Sequence, residues 1–206
     1  MRILFQGDSI TDAYRSWEND WHLGIGYPRL VSASLGYEFP DKFSFFNRGI
    51  SGNRIVDVYA RIKKDIIALK PDVMSILIGV NDVWHEFGDI PNGVDTEKFY
   101  TVYSMLIKEI KAALPDIKIM ILEPFCLRAS ATEAHWEKFD YEVKLRSDAA
   151  KRIAEENGLC FVPLQEGFDE LCKKAPASYW LGDGVHPSAM GHEYIKNQWI
   201  KAFKSL

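Results

Sequence analysis

Five short segments of the chain are apolar almost without interruption: "RILFQ" (2–6), "FSFFN" (43–47), "DVMSILIG" (72–79), "IKIMILE" (117–123) and "LCFVP" (159–163). A strand with one wet face alternates apolar and polar residues. Continuously apolar runs of this length fit parallel strands buried on both faces. Between and after them, hydrophobic residues recur at three- and four-residue steps. In "RIVDVYARIKKDIIALK" (54–70), Ile55, Val58, Ile62, Ile66 and Leu69 form one helical face. "DTEKFYTVYSMLIKEIKAALP" (95–115) repeats the pattern and stops before Pro115. "HWEKFDYEVKLRSDAAKRIAEENG" (135–158) predicts a longer helix closed by Gly158. "SAMGHEYIKNQWIKAFKSL" (188–206) predicts a final helix with Ser188 as its N-cap. Strand and helix alternate throughout, which predicts a three-layer α/β/α sandwich around a five-stranded parallel sheet with right-handed crossovers. No repeat, low-complexity stretch or linker interrupts residues 1–206, so they read as a single domain.

Composition narrows the function. The chain is 47% hydrophobic and 26% charged, with a formal net charge of −4. That balance argues against a nucleic-acid surface, which needs basic clusters. The nearest to one is "RIKK" (61–64), the wet side of a helix. No apolar run is long enough to cross a bilayer. Arg2 is followed only by "ILF" before polar residues, too short for a secretory signal, and a cytoplasmic protein is expected. Cys126, Cys160 and Cys172 lack metal-type spacing and read as reduced thiols.

In open parallel sheets, sites form beyond the carboxyl ends of the strands. "GDSITD" (7–12) follows the first strand, "RGISGN" (48–53) the second, and "GVNDVWHEF" (79–87) the third. "GDGVHP" (182–187) precedes the last helix and can fold over the same rim. Ser9 sits where a strand-to-helix turn exposes its hydroxyl, a weak nucleophile unless a base takes its proton. His186 can be that base, and Asp183, three residues before it, can hold its other ring nitrogen. The backbone N–H of Ser9, Gly52 in its loop and the amide of Asn81 are candidate donors to an oxyanion. Ser51 is a rival nucleophile, but Asn53 stands where the second glycine of a G-x-S-x-G elbow belongs, so it reads as a turn residue. His192 reads as a structural residue of the last helix, and no further ligand residues at suitable spacing support a metal site.

"GDSIT", "NRGISGN", "GVND" and "DGVHP", in this order, resemble the blocks of the SGNH (GDSL) hydrolase superfamily. The resemblance implies a flavodoxin-like sandwich, Ser9 as nucleophile, Asp183 and His186 completing a triad, and Ser9, Gly52 and Asn81 forming the oxyanion hole. "NRGISGN" with "LIGVNDVW", "ILEPF" and "VHPSAMGH" is similar to the bacterial acetyl-xylan esterase branch. This implies removal of O-acetyl groups from xylan or xylo-oligosaccharides, with neither metal nor organic cofactor. Asp8, Arg48, Trp84 and Trp180 are candidate substrate contacts. Tyr14, Trp17 and Trp21, in the loop after the nucleophile, suit flat sugar faces, loop packing or a homo-oligomer interface. Other activities of the superfamily remain alternatives: short-chain arylesterase, thioesterase, lysophospholipase or acetyl transfer to a sugar. So does a non-catalytic carbohydrate-binding module of the same fold.

Overall fold

The computed structural model describes residues 1–206. The sheet holds β1 (Arg2–Gly7), β2 (Ser44–Asn47), β3 (Val73–Leu77), β4 (Lys118–Leu122) and β5 (Cys160–Val162), each within its expected segment except that β1 runs one residue further, to Gly7. Their order is β2-β1-β3-β4-β5 and every neighbouring pair is parallel. Ten α-helices surround it: α1 (Ser9–Asp12), α2 (Tyr27–Glu38), α3 (Ile55–Ala60), α4 (Ile62–Asp65), α5 (Val80–Trp84), α6 (Thr96–Ala113), α7 (Trp136–Asn157), α8 (Gln165–Cys172), α9 (Ala177–Trp180) and α10 (Ala189–Phe203).

The continuous apolar runs are explained by what covers each face. Ile3, Phe5, Leu77, Met120 and Leu122 point into one core, shared with Tyr27, Val31 and Leu35 of α2 and Ile195 and Trp199 of α10. Their chain neighbours Leu4, Met74, Ile76, Ile119 and Ile121 point into the other, shared with α3, α6 and the C-terminal half of α7. Successive residues of a strand face opposite ways, so a sheet covered on both sides needs apolar residues at every position.

Two expectations for the helices are corrected. Residues 54–70 are not one helix but α3, α4 and a 3₁₀ turn at Ile67–Leu69. The break falls at Arg61, whose guanidinium donates to Arg48 O (2.7 Å), Asn53 Oδ1 (2.9 Å) and Gln6 Oε1 (2.7 Å). The segment keeps its apolar face but is drawn in to tie the end of β1 to the loop that follows β2. Secondly, α2 and α8 have no counterpart among the four expected helices. The predicted ends do agree: Gly158 closes α7 with φ +62°, and Ser188 Oγ accepts from Gly191 N–H at the start of α10.

The register sets the ends of the strands level. Gly7 pairs with Leu77, Leu77 with Leu122, and Leu122 with Val162. β1 is followed by β2 on one side and then by β3 on the other, so the order reverses between β1 and β3. A crevice opens where the two loops part, the usual ligand position in such sheets. No helix is long and apolar enough to cross a membrane.

Candidate active site

The turn that carries Ser9 is built by close approach. Gly7 ends β1 at φ +156°, and a Cβ there would lie 2.3 Å from Leu77 O and 2.5 Å from Thr11 Oγ1. Only glycine fits this bend against β3. Asp8 follows as N-cap, its Oδ1 accepting from Ile10 N–H at 3.0 Å, and Ser9 opens α1. The first N–H of a helix has no partner within it, so Ser9 presents a hydroxyl and a free N–H together. Asp8 is buried beneath the turn, and that burial pushes its carboxyl up to about 7, against the Ile10 hydrogen bond and the nearby His186.

The second loop is held to the first by another carboxylate. Asp12 Oδ2 accepts from Ser51 N–H (3.1 Å) and from Ser51 Oγ–H (2.8 Å). Ser51 is thereby a turn residue, its hydroxyl donated to Asp12. Gly52 follows at φ +80°, and its N–H has no acceptor within the protein. Asn47, at the end of β2, ties the same region from below, donating to Thr11 O (2.6 Å) and Leu23 O (2.9 Å).

The third loop repeats the device. Buried Asp82 accepts from Ile55 N–H through both oxygens, at 3.0 and 3.2 Å, which docks α5 against α3. Burial pushes its carboxyl up to about 7, against the Ile55 hydrogen bond and Arg146. Beside it, Asn81 donates one amide hydrogen to Asn53 O at 3.1 Å, leaving the other for the cleft.

Asp183 and His186 share a tight turn. Leu181 and Pro187 form an antiparallel bridge, and Gly182 N–H donates to His186 O at 2.9 Å. Asp183 Oδ1 accepts from the N–H groups of Val185 (2.9 Å) and His186 (2.8 Å). Its Oδ2 lies 2.7 Å from His186 Nδ1, and His186 Nε2 lies 2.9 Å from Ser9 Oγ. A carboxylate only accepts, so Nδ1 carries the proton and Nε2 is free to take one from Ser9. Burial pushes Asp183 upward, but the hydrogen bonds from His186 and the two backbone N–H groups outweigh it and bring the carboxyl to about 2. The same bond to Asp183 raises His186 above the usual histidine value, against its own burial.

These loops enclose a cleft of about 1150 Å³ that contains Ser9, Gly52, Asn81 and His186 in its walls. Trp84 also lines it, its ring 5.7 Å from that of His186. The other expected substrate contacts stand elsewhere. Asp8 is sealed under the turn. Arg48 forks onto Asp20 at 2.6 and 3.1 Å, away from the cleft walls. Trp180 packs edge-on against Tyr179 and donates to Ala175 O. Several cleft residues escaped the sequence reading: Asp12, Arg15, Ile25 and His192. Asp12 was signalled by its spacing, three residues after Ser9 on the same turn of helix. His192 accepts through Nδ1 from Tyr27 N–H at 3.1 Å, and burial lowers it to about 4, so it stays neutral beside His186.

Comparison with known proteins shows the family. The model of the GDSL-like lipase/acylhydrolase family matches residues 5–194. An acetylxylan esterase of Geobacillus stearothermophilus is 32% identical over 97% of this chain and 92% of its own. The solved structure of that esterase, Axe2, superposes with a TM-score of 0.86, covering 98% of this chain and 93% of that one at 32% identity. Two further Axe2 structures are of catalytic mutants, one with an aspartate and one with a serine changed to alanine. A GDSL-lipase-like protein from Parabacteroides merdae is 38% identical, with a TM-score of 0.91 over 98% of this chain and 95% of that one.

Proposed function

Because the chain belongs to the GDSL-like lipase/acylhydrolase family, we propose that it is a serine acetylesterase acting on O-acetylated xylo-oligosaccharides. Carboxylic ester hydrolysis is the family's reaction, and it is the reaction of this chain. The observation that carries the catalytic assignment is the relay from Ser9 Oγ to His186 Nε2 (2.9 Å) and from His186 Nδ1 to Asp183 (2.7 Å), open to the cleft. Similarity to an acetylxylan esterase along nearly the whole chain supports the substrate.

In this reading Ser9 Oγ attacks the acetyl carbonyl carbon while His186 Nε2 takes the hydroxyl proton. Asp183 holds the imidazole in the required tautomer and stabilises the imidazolium that forms. The carbonyl oxygen becomes an oxyanion, met by the N–H groups of Ser9 and Gly52 and the spare amide hydrogen of Asn81. None of these donors carries charge. When the intermediate collapses, the sugar oxygen leaves with the proton from His186, and the acetyl group stays on Ser9. Water then attacks by the same route, its proton passing through His186 to Ser9, and acetate is released.

The test is acetate release from acetylated xylo-oligosaccharides by the wild type and by Ser9→Ala. Rapid release that is lost by several orders of magnitude in the variant supports the reading. Hydrolysis of simple aryl acetates without release from the oligosaccharides would remove the xylan substrate and keep the serine esterase. Absence of both activities would sink the catalytic assignment.

A further inference from the structure

The cleft is much larger than an acetyl group requires. At about 1150 Å³ it exceeds the roughly 300–1000 Å³ that encloses a drug-sized ligand. One acetylated pentose would leave a large part of it empty. What lies in the remaining wall is an aromatic ring held in place without being buried. Trp17 lines the cleft yet is 67% exposed.

An exposed indole on a loop ordinarily swings freely, but this one is clamped. The guanidinium of Arg15 lies 4.3 Å from its ring centroid, a cation–π distance. Arg15 is itself nearly buried, with Nε donating to Gly49 O at 2.7 Å and Nη1 to Ser16 O at 3.2 Å. The loop carrying Trp17 is closed on itself: Ser16 N–H donates to His22 O (3.0 Å), and Ser16 Oγ accepts from the N–H groups of Glu18 and Asn19. Its exit is pinned by Ile25 N–H on Ala13 O (2.8 Å) and by Asn47 on Leu23 O. One ring face rests on Arg15, and two-thirds of the side chain is left open. Ordering a flat apolar face in advance lowers the entropy that a ligand must give up on binding.

We propose that Trp17, positioned by Arg15, is a stacking platform for a sugar ring of the substrate other than the one that carries the acetyl group under attack. A pyranose presents one face of C–H groups, apolar and flat, which matches an indole face. Its hydroxyls point outward around the rim, where water remains. The inference rests on the sugar-ester reading of the same site and deepens it: the enzyme is selective for oligosaccharides over acetylated monosaccharides.

The experiment compares kcat and KM of the wild type, Trp17→Ala, Trp17→Phe and Trp21→Ala on acetylated xylotriose and on 4-nitrophenyl acetate, with particle mass measured for each. Trp21 belongs to the same loop but lies outside the cleft at 95% exposure, and serves as the control. We expect Trp17→Ala to lose roughly tenfold or more in kcat/KM on xylotriose relative to 4-nitrophenyl acetate, the order for removing an aromatic anchor. The loss is expected in KM, with Trp17→Phe recovering most of it and Trp21→Ala matching the wild type. Equal losses on both substrates, or no loss on either, overturn the proposal. A fall in particle mass in Trp17→Ala overturns it too, because the ring would then belong to a subunit interface. If wild type cleaves 4-nitrophenyl acetate but not xylotriose acetate, the sugar reading itself has failed.

Discussion

In the proposed reaction His186 acts as a base only when neutral, and its bond to Asp183 raises its pKa. The rate is therefore expected to rise with pH through an acid limb placed above the ordinary histidine value of about 6.5. Asp183→Asn removes the main cause of that shift and also the tautomer control. It should move the limb to lower pH and reduce kcat by about 10⁴-fold, checked by the pH profile of kcat/KM. Asn81→Ala, which removes one oxyanion donor, should cost about 100- to 1000-fold in kcat. The buried carboxyls affect stability with the opposite sign from an ion-paired aspartate. Asp8 and Asp82 are raised from 3.8 to about 7, so between those values the folded state holds protons that the unfolded state has lost. Stability from these groups is full below about 3.8 and declines as pH rises to about 7. Asp8→Asn keeps an oxygen for Ile10 and should flatten that decline in denaturant titrations at pH 5 and pH 8. The residues of the relay were legible from sequence because each is fixed by a local turn. Their neighbour Arg15 was not, because a distant backbone oxygen at Gly49 gives it its place; His192 reads as structural from the sequence, but its partner, Tyr27 N–H, is set only by the fold.

The strands were readable because burial on both faces leaves an unbroken apolar run, too short for a buried helix. Helices depend more on context. Arg61 interrupts a sound helical pattern because the end of β1 and the loop after β2 together offer it acceptors, something visible only after folding. In α2 the apolar stripe is short, Tyr27, Val31 and Leu35, and the helix begins at Tyr27 and Pro28 with no side-chain cap. Part of that start is held by His192, a residue of α10. Replacing it with Phe leaves Tyr27 N–H buried without an acceptor and should cost about 1–3 kcal/mol in chemical denaturation. At the β1–α1 junction, Gly7→Ala puts a side chain in a φ region that disfavours one. The backbone alone costs about 1–3 kcal/mol, and the 2.3 Å contact with Leu77 O adds to it. A shifted urea midpoint with kcat reduced in the same variant would tie the bend to the placement of Ser9.

Across the molecule, a sheet with level strand ends brings together loops that are remote in sequence, and four aspartates hold them. Asp8, Asp12, Asp82 and Asp183 each give carboxyl oxygens to backbone N–H groups, so the loops around the cleft are held by carboxyl-to-backbone hydrogen bonds more than by ion pairs. The net charge is small, at −4, and the oxyanion donors are uncharged. Electrostatic steering of an uncharged ester should therefore be slight. We expect kcat/KM on 4-nitrophenyl acetate to change less than about twofold between 20 mM and 500 mM salt, a range over which screened surface attractions largely vanish.

Ser9 and His186, which share a hydrogen bond, are 177 positions apart. During synthesis Ser9 therefore emerges well before His186, and the stretch containing Trp199, which the core beneath β1 needs, follows later still. On the proposed mechanism, a polypeptide cut short before Asp183 and His186 keeps Ser9 as an ordinary alcohol, with no base to awaken it.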